Sequence, residues 1–277
     1  NKEIFDKYNI TPPKTFEELK EICKKLRAEG VIPISLGNAP KWTGAFYFIY
    51  LADRIAGPEL FEKAVAREPG YSFADPAYIE AGRKLQELVD IGAFPEGFNG
   101  MSYDEQRMLF ATEKAAMMLM GTWLPGVIEK EMPGITAKMD FFMFPAVEGG
   151  KGNPANVVGG TNTAYAIAST CKHPELAVEL LKELSSDETV KELVEVVGRV
   201  SGVKVEVDAT KVPPLTLKAM KTLETAGHLQ LYYDQYLPPA MAETHKDTTQ
   251  ALFGKTMTPE EAAQAMEEAA KKELGGQ

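Results

Sequence analysis

Three times along the chain a hydroxyl residue is followed, three positions on, by glutamate and then by apolar residues at helical spacing. The pairs are Thr15 with Glu18, Ser102 with Glu105 and Thr258 with Glu261. Each is a capping box, in which hydroxyl and carboxylate satisfy opposite backbone amides at a helix start. After the first, Phe16, Leu19, Ile22, Cys23 and Leu26 form one apolar stripe and Gly30 follows. That predicts a helix with one buried face and a glycine stop. Asp75-Pro76 opens another helix, with proline at its first position, Ile79, Leu85, Leu88 and Val89 facing inward, and Gly92 ending it. The third box carries Pro259 in the same place and opens the last helix. Further helices are expected over 44–56, 103–112, 125–131, 174–184, 187–197, 214–226 and 239–253. Between them lie short apolar runs, 31–36, 114–120, 139–144, 157–158 and 163–168, that read as strands. Strands alternating with helices make the class α/β. In parallel sheets of that class, ligands gather beyond the carboxyl ends of the strands.

Composition then removes several functions. The longest apolar runs fall far short of the 18 residues that a membrane span needs. A net charge of −10 with no basic stripe argues against nucleic acid as a partner. The 2 cysteines, Cys23 and Cys171, cannot form a disulfide scaffold or a four-cysteine zinc site, and both are expected as small buried hydrophobes. The histidines, His173, His228 and His245, are not spaced as metal ligands, so no metal is expected. Neither nucleotide-binding glycine fingerprint is present, and Gly149-Gly150-Lys151-Gly152-Asn153 reads as a flexible turn, so no cofactor is expected. No nucleophile elbow occurs. Among 40 acidic residues, Asp140 and Asp234 lie near strand or loop ends and could form the carboxylate pair of a glycosidase.

What remains is aromatic. Trp42 follows the run 31–36, and Trp123 follows the run 114–120 through Gly121 and Thr122. Tyr232 and Tyr233 lie in a comparable loop. An aromatic face suits a sugar, whose C–H groups pack on the ring while polar neighbours bond its hydroxyls. Gly121 would let a ligand approach the backbone closely. The competing reading is that each tryptophan caps a core helix.

The order of short motifs resembles the extracellular solute-binding proteins of carbohydrate ABC transporters, the group that contains maltose-binding protein. Asn1-Lys2-Glu3-Ile4-Phe5 opens the resemblance, and Pro13-Lys14-Thr15-Phe16-Glu17-Glu18-Leu19 follows with Phe16 in place of tryptophan. The run from Ala116 to Trp123, Gly159-Gly160 with Tyr165-Ala166-Ile167, and His173-Pro174-Glu175-Leu176-Ala177 continue it. Phe253-Gly254-Lys255-Thr256-Met257-Thr258-Pro259-Glu260-Glu261-Ala262 closes it. The resemblance implies a periplasmic-binding-protein-like two-lobe fold, with mixed sheets flanked by helices and a neutral sugar held in an interlobe cleft without catalysis. It implies delivery to ABC permease subunits in the membrane, and a periplasmic or extracellular location with a lipid anchor in some members. It implies ligand contacts at Trp42, Gly121, Thr122, Trp123, Gly159, Gly160, Thr161, Tyr233 and Asp234, with Tyr232 and Tyr236 open as the aromatic contact of the last loop. A non-sugar solute such as a glycerol phosphate on the same scaffold, and a glycoside hydrolase, are the alternatives.

The resemblance also implies that more than a hundred residues and a signal sequence precede the first motif in family members. The chain is therefore expected to be a piece, with the second lobe near complete and the first only partial. Residues 1–158 would form the main part of the second lobe, 159–213 a remnant of the first, and 214–277 helices returning to the second. The remnant would expose surface suited to the missing amino-terminal lobe or a swapped copy. Sugar binding by this chain alone is expected to be weak.

Overall fold

The structure, a computed structural model, describes residues 1–160 and 164–275. Its elements run α1 (Lys2–Lys7), α2 (Phe16–Ala28), β1 (Ile32–Ile34), α3 (Trp42–Ala56), α4 (Glu59–Val65), α5 (Pro76–Asp90), α6 (Tyr103–Ala111) and β2 (Ala115–Met117). They continue with α7 (Leu124–Glu131), β3 (Val157–Gly159), α8 (Pro174–Leu184), α9 (Asp187–Glu195), α10 (Pro214–Glu224), β4 (Leu229–Leu231), α11 (Tyr233–Tyr236), α12 (Pro239–Phe253) and α13 (Pro259–Leu274). All three capping boxes form, with hydroxyl and glutamate each bonded to the other's backbone amide. Such a cap stabilises its helix by about 1 kcal/mol.

The chain divides into two compact units. Asn1–Met120, Lys138–Gly160 and Ala226–Gln277 form the first, and Gly121–Ala137 with Thr161–Thr225 the second. This differs from the expected division, which left 121–137 with the main lobe and returned at 214. The reason lies at the end of α9. The Thr216 hydroxyl of α10 donates to the Gly198 carbonyl at 2.7 Å. A Cβ on Gly126 of α7 would stand 2.9 Å from the Val197 carbonyl oxygen. Both helices therefore close on one turn of chain.

In the first unit α3 is buried nearly all round, from Thr43 through Arg54, as befits a helix apolar on every face. It packs on α5 and α12, and α13 covers α5 and α12. The sheets are smaller than the apolar runs suggest. β1 pairs with β2, and β3 with β4, both in parallel. Mixed sheets were expected; among the described residues the two sheets are two-stranded and parallel. The run 139–144 forms no strand, and at its end the Phe144 carbonyl accepts from the Arg54 guanidinium. Residues 164–168 are not strand either, and Thr163 lies outside the described residues.

In the second unit α9 buries Val190 and Val194 and packs on α8. On the other apolar face of α8, Leu176, Leu180 and Leu184 are all exposed among the described residues. Cys23 is buried in the first unit, and its burial pushes the thiol up to about 12. Cys171, expected to be buried, is only half-buried, because it sits in the loop before α8 rather than on a packed face.

Candidate functional site

The site in the first unit is built on the amino end of α3. Lys41 precedes the helix with φ +66, a left-handed conformation that costs a non-glycine residue about 1 kcal/mol. The turn it makes swings Trp42 outward, and the Trp42 amide donates to the Pro40 carbonyl at 2.8 Å. The indole is half-buried. It meets Tyr103, the first residue of α6, at 5.0 Å and Phe46, one turn along α3, at 5.5 Å, both edge-on. Phe46 stacks in turn on Tyr232 at 5.2 Å. The Arg107 guanidinium lies over the Tyr103 ring at 4.3 Å and pairs with Asp104. The result is a row of rings in which Tyr103 and Trp42 are half-buried and Phe46 and Tyr232 buried. Edge-to-face pairs of this kind are each worth about 1 kcal/mol beyond burial.

The backbone beside this row is equally determined. β3 ends at Gly159, whose carbonyl accepts from the Tyr232 amide at 3.0 Å. A Cβ on the exposed Gly160 would lie 3.1 Å from the Tyr232 ring and 3.2 Å from the Gln235 amide oxygen. Glycine at 160 thus keeps this rim open. The Val158 amide donates to the Tyr50 hydroxyl at 3.1 Å. Burial pushes the Tyr232 phenol up. Asp234 is half-buried at the start of α11; desolvation raises its carboxyl, opposed by Lys246.

The nine residues expected at the site are not all brought together. Trp42, Gly159 and Gly160 lie on the first unit around the ring row. Tyr233 does not: only 2% of it is exposed. It stacks on Phe61 at 4.0 Å and touches His245, so it is a core residue. Tyr232 takes the place in the row, and Tyr236 stands 53% exposed against Phe61. Gly121, Thr122 and Trp123 belong to the second unit. There the Trp123 indole lies directly on Gly121, where a Cβ would fall 2.0 Å from the ring. Glycine at 121 is thus required by the tryptophan two residues later. Thr122 is exposed. Thr161 lies outside the described residues. Asp140, one carboxylate of the glycosidase alternative, is exposed and accepts from the Phe141 amide at 2.7 Å. Among the described residues no three His, Cys, Asp or Glu side chains are grouped to hold a metal, and no helix is long and apolar enough to cross a membrane.

Two members of the row escape sequence reasoning. Phe46 is visible only as the residue one turn after Trp42. Tyr103 is visible only as the first helical residue after the second capping box. Neither spacing says that two separate loops converge.

Residues 1–191 match the family described as bacterial extracellular solute-binding protein. An uncharacterized ABC transporter extracellular-binding protein of Pyrococcus horikoshii is 27% identical over 190 residues, covering 68% of this chain and 40% of its own. A chain solved in work on xylan utilization by the thermophilic bacterium Caldanaerobius polysaccharolyticus superposes with a TM-score of 0.90 at 34% identity, over 97% of this chain and 69% of its own. A chitin oligosaccharide binding protein superposes with a TM-score of 0.89 at 26% identity, over 99% of this chain and 68% of its own. The chain spans half or less of the length of the curated relatives it matches. With the match covering well over half of its residues, the chain belongs to the bacterial extracellular solute-binding protein family.

Proposed function

We propose that this chain is the ligand-binding part of an extracellular receptor that captures a neutral mono- to oligosaccharide and hands it to the permease subunits of an ABC importer. Binding, not turnover, is the function. The observation that carries the reading is the half-exposed Trp42 indole in a row of rings whose inner member, Tyr232, packs at Gly160. A sugar ring packs its C–H face on the indole, and its hydroxyls find backbone groups at Gly159 and Gly160. Asp234 accepts from adjacent hydroxyls, a charge-assisted bond stronger than a neutral one. The names of the relatives support the class: one binds chitin oligosaccharide, one comes from work on xylan utilization, and one is named for an ABC transporter. Periplasmic or extracellular action follows from this reading.

The test isolates Trp42. In a Trp123→Phe chain it is the single indole, since the sequence holds 2 tryptophans. Titration with xylo- and chito-oligosaccharides into the millimolar range is expected to shift its emission saturably with one series. Trp42→Ala, probed by calorimetry, is expected to weaken that binding at least tenfold, about 1.4 kcal/mol. A flat titration with every sugar alongside a saturable response to glycerol phosphate, or turnover of a chromogenic glycoside, overturns the proposal.

A further inference from the structure

We infer that Gln250, on a helix that contributes no ring to the row, positions the Trp42–Tyr103 pair through an amide triad with Asn38 and Asn99. The two loops that carry the rings run side by side. The Asn38 amide donates to the Phe98 carbonyl at 2.8 Å and the Ala39 amide to the Met101 carbonyl at 2.9 Å. Into this seam α12 inserts one carboxamide. Gln250 Nε2 donates to the Asn38 carbonyl at 2.9 Å and to the Asn99 carbonyl at 3.3 Å. Asn99 Nδ2 donates back to the Gln250 carbonyl at 3.1 Å. Asn38 Nδ2 donates to Asn99 Oδ1 at 2.7 Å, while Asn38 Oδ1 accepts from the Gly44 amide inside α3 at 3.0 Å. A Cβ on Gly44 would fall 2.4 Å from that oxygen, so the helix start and the loop meet without room to slide.

Asn38 and Asn99 thus each use the donor and acceptor ends of their carboxamides on different partners, and Gln250 closes the set through its side-chain donor and its backbone carbonyl. Asn38 is fully buried, so breaking the set leaves polar groups without water, at a cost comparable to a lost hydrogen bond or more. One turn before Gln250, Asp247 of α12 pairs with Lys41, the residue directly ahead of Trp42. Residues three apart share a helix face. That face grips the Trp42 loop at 38 and at 41. The Asn99 end holds the loop that leads, three residues on, into Ser102 and Tyr103. The indole and the phenol ring are thus set through one helix. The consequence for sugar binding rests on the proposed role of Trp42; the positioning itself does not.

The experiment needs no sugar. In the full Trp123→Phe chain, Gln250→Met keeps the volume and loses both donors. Gln86→Met is the matched control. Gln86 Nε2 also donates to two carbonyls, Leu252 in the last turn of the same helix and Met257 after it, at 3.2 Å each, but bonds neither loop that carries a ring of the row. Acrylamide quenching and near-ultraviolet circular dichroism report the Trp42 setting, and thermal unfolding reports stability. Gln250→Met is expected to raise the quenching constant of Trp42 about twofold and to weaken its dichroic band, while Gln86→Met lowers the midpoint comparably and leaves both signals unchanged. Equal indole signals in the two variants overturn the inference and reduce Gln250 to a stabilising residue. The oligosaccharide titration is a separate readout: if Gln250→Met moves the indole but no sugar binds either chain, the positioning stands and the sugar reading falls.

Discussion

Replacing Arg54 by methionine is expected to destabilise the first unit by about 3–5 kcal/mol, the range for removing one partner of a buried ion pair. The guanidinium is 1% exposed. It pairs with Asp53 and donates to the carbonyls of Phe144, Pro154 and Asn156 at 3.1, 3.2 and 2.9 Å. Asn156 Nδ2 closes the network by donating to Asp53 at 3.0 Å. Without Arg54, the buried Asp53 carboxylate keeps one amide partner and three carbonyls lose theirs. A double change to apolar residues does not restore stability here, as it does for an isolated pair, because those carbonyls belong to the backbone and remain. The network lies just ahead of β3, so the same change is expected to loosen the Gly159–Gly160 rim. Urea unfolding followed by Trp42 emission in the Trp123→Phe background measures it. A loss under 1 kcal/mol would show that the carbonyls find other donors.

The second large effect is a two-stage loss of stability in acid. His245 is buried between Phe48 and Tyr233, and burial, aided by Lys246, holds it down to about 3. The unfolded histidine titrates near 6.5. Between those values the unfolded chain binds more protons than the folded one, so stability rises with pH, by up to about 1.4 kcal/mol per unit. It is therefore lost as pH falls from 6.5. Glu267 acts lower. Arg67 grips its carboxylate with two bonds, at 3.0 and 2.7 Å, and the Phe73 amide adds a third at 2.9 Å. These hold its carboxyl below the ordinary 4.5. Its contribution, about 2 kcal/mol, is present above pH 4.5 and lost as pH falls through the depressed value. Unfolding midpoints across pH 3.5–7.5 separate the two. His245→Phe is expected to flatten the profile from 6.5 downward, including the upper window where Glu267 is silent, and Glu267→Gln to change it below 4.5 only. A His245→Phe profile parallel to the parent across the upper window would show that the imidazole titrates normally.

Helix starts were the most legible feature. Thr15, Ser102 and Thr258 carry their signal within four residues, and the hydrogen bonds that realise it are local. Pro76 and Pro259 mark first turns for the same reason. Strands were legible as positions but not as lengths. The run 114–120 yields only Ala115–Met117, since pairing stops where β1 stops. β4 goes unnoticed in the sequence because Leu229 and Leu231 are exposed and only Gln230 between them is buried. α1 and α4 are short, and packing rather than a cap box defines α4. At the site, Trp42 stood out by its type. The choice between Tyr232 and Tyr233 did not, because adjacent aromatics give no periodicity and the outcome depends on which ring finds Phe46 and which finds Phe61. The Asn38, Asn99 and Gln250 triad joins residues up to 212 positions apart, beyond any local pattern.

The first unit is stitched from three separate stretches of chain, and α3 and α5 of the first stretch pack against α12 and α13 of the last. A protease that cuts the exposed, irregular residues 164–170 therefore severs the polypeptide without separating its pieces. The nicked protein is expected to travel as one particle in gel filtration and to fall into two fragments only in denaturant. For the same reason, the two sides of that cut are natural candidates for separate genes whose products reassemble.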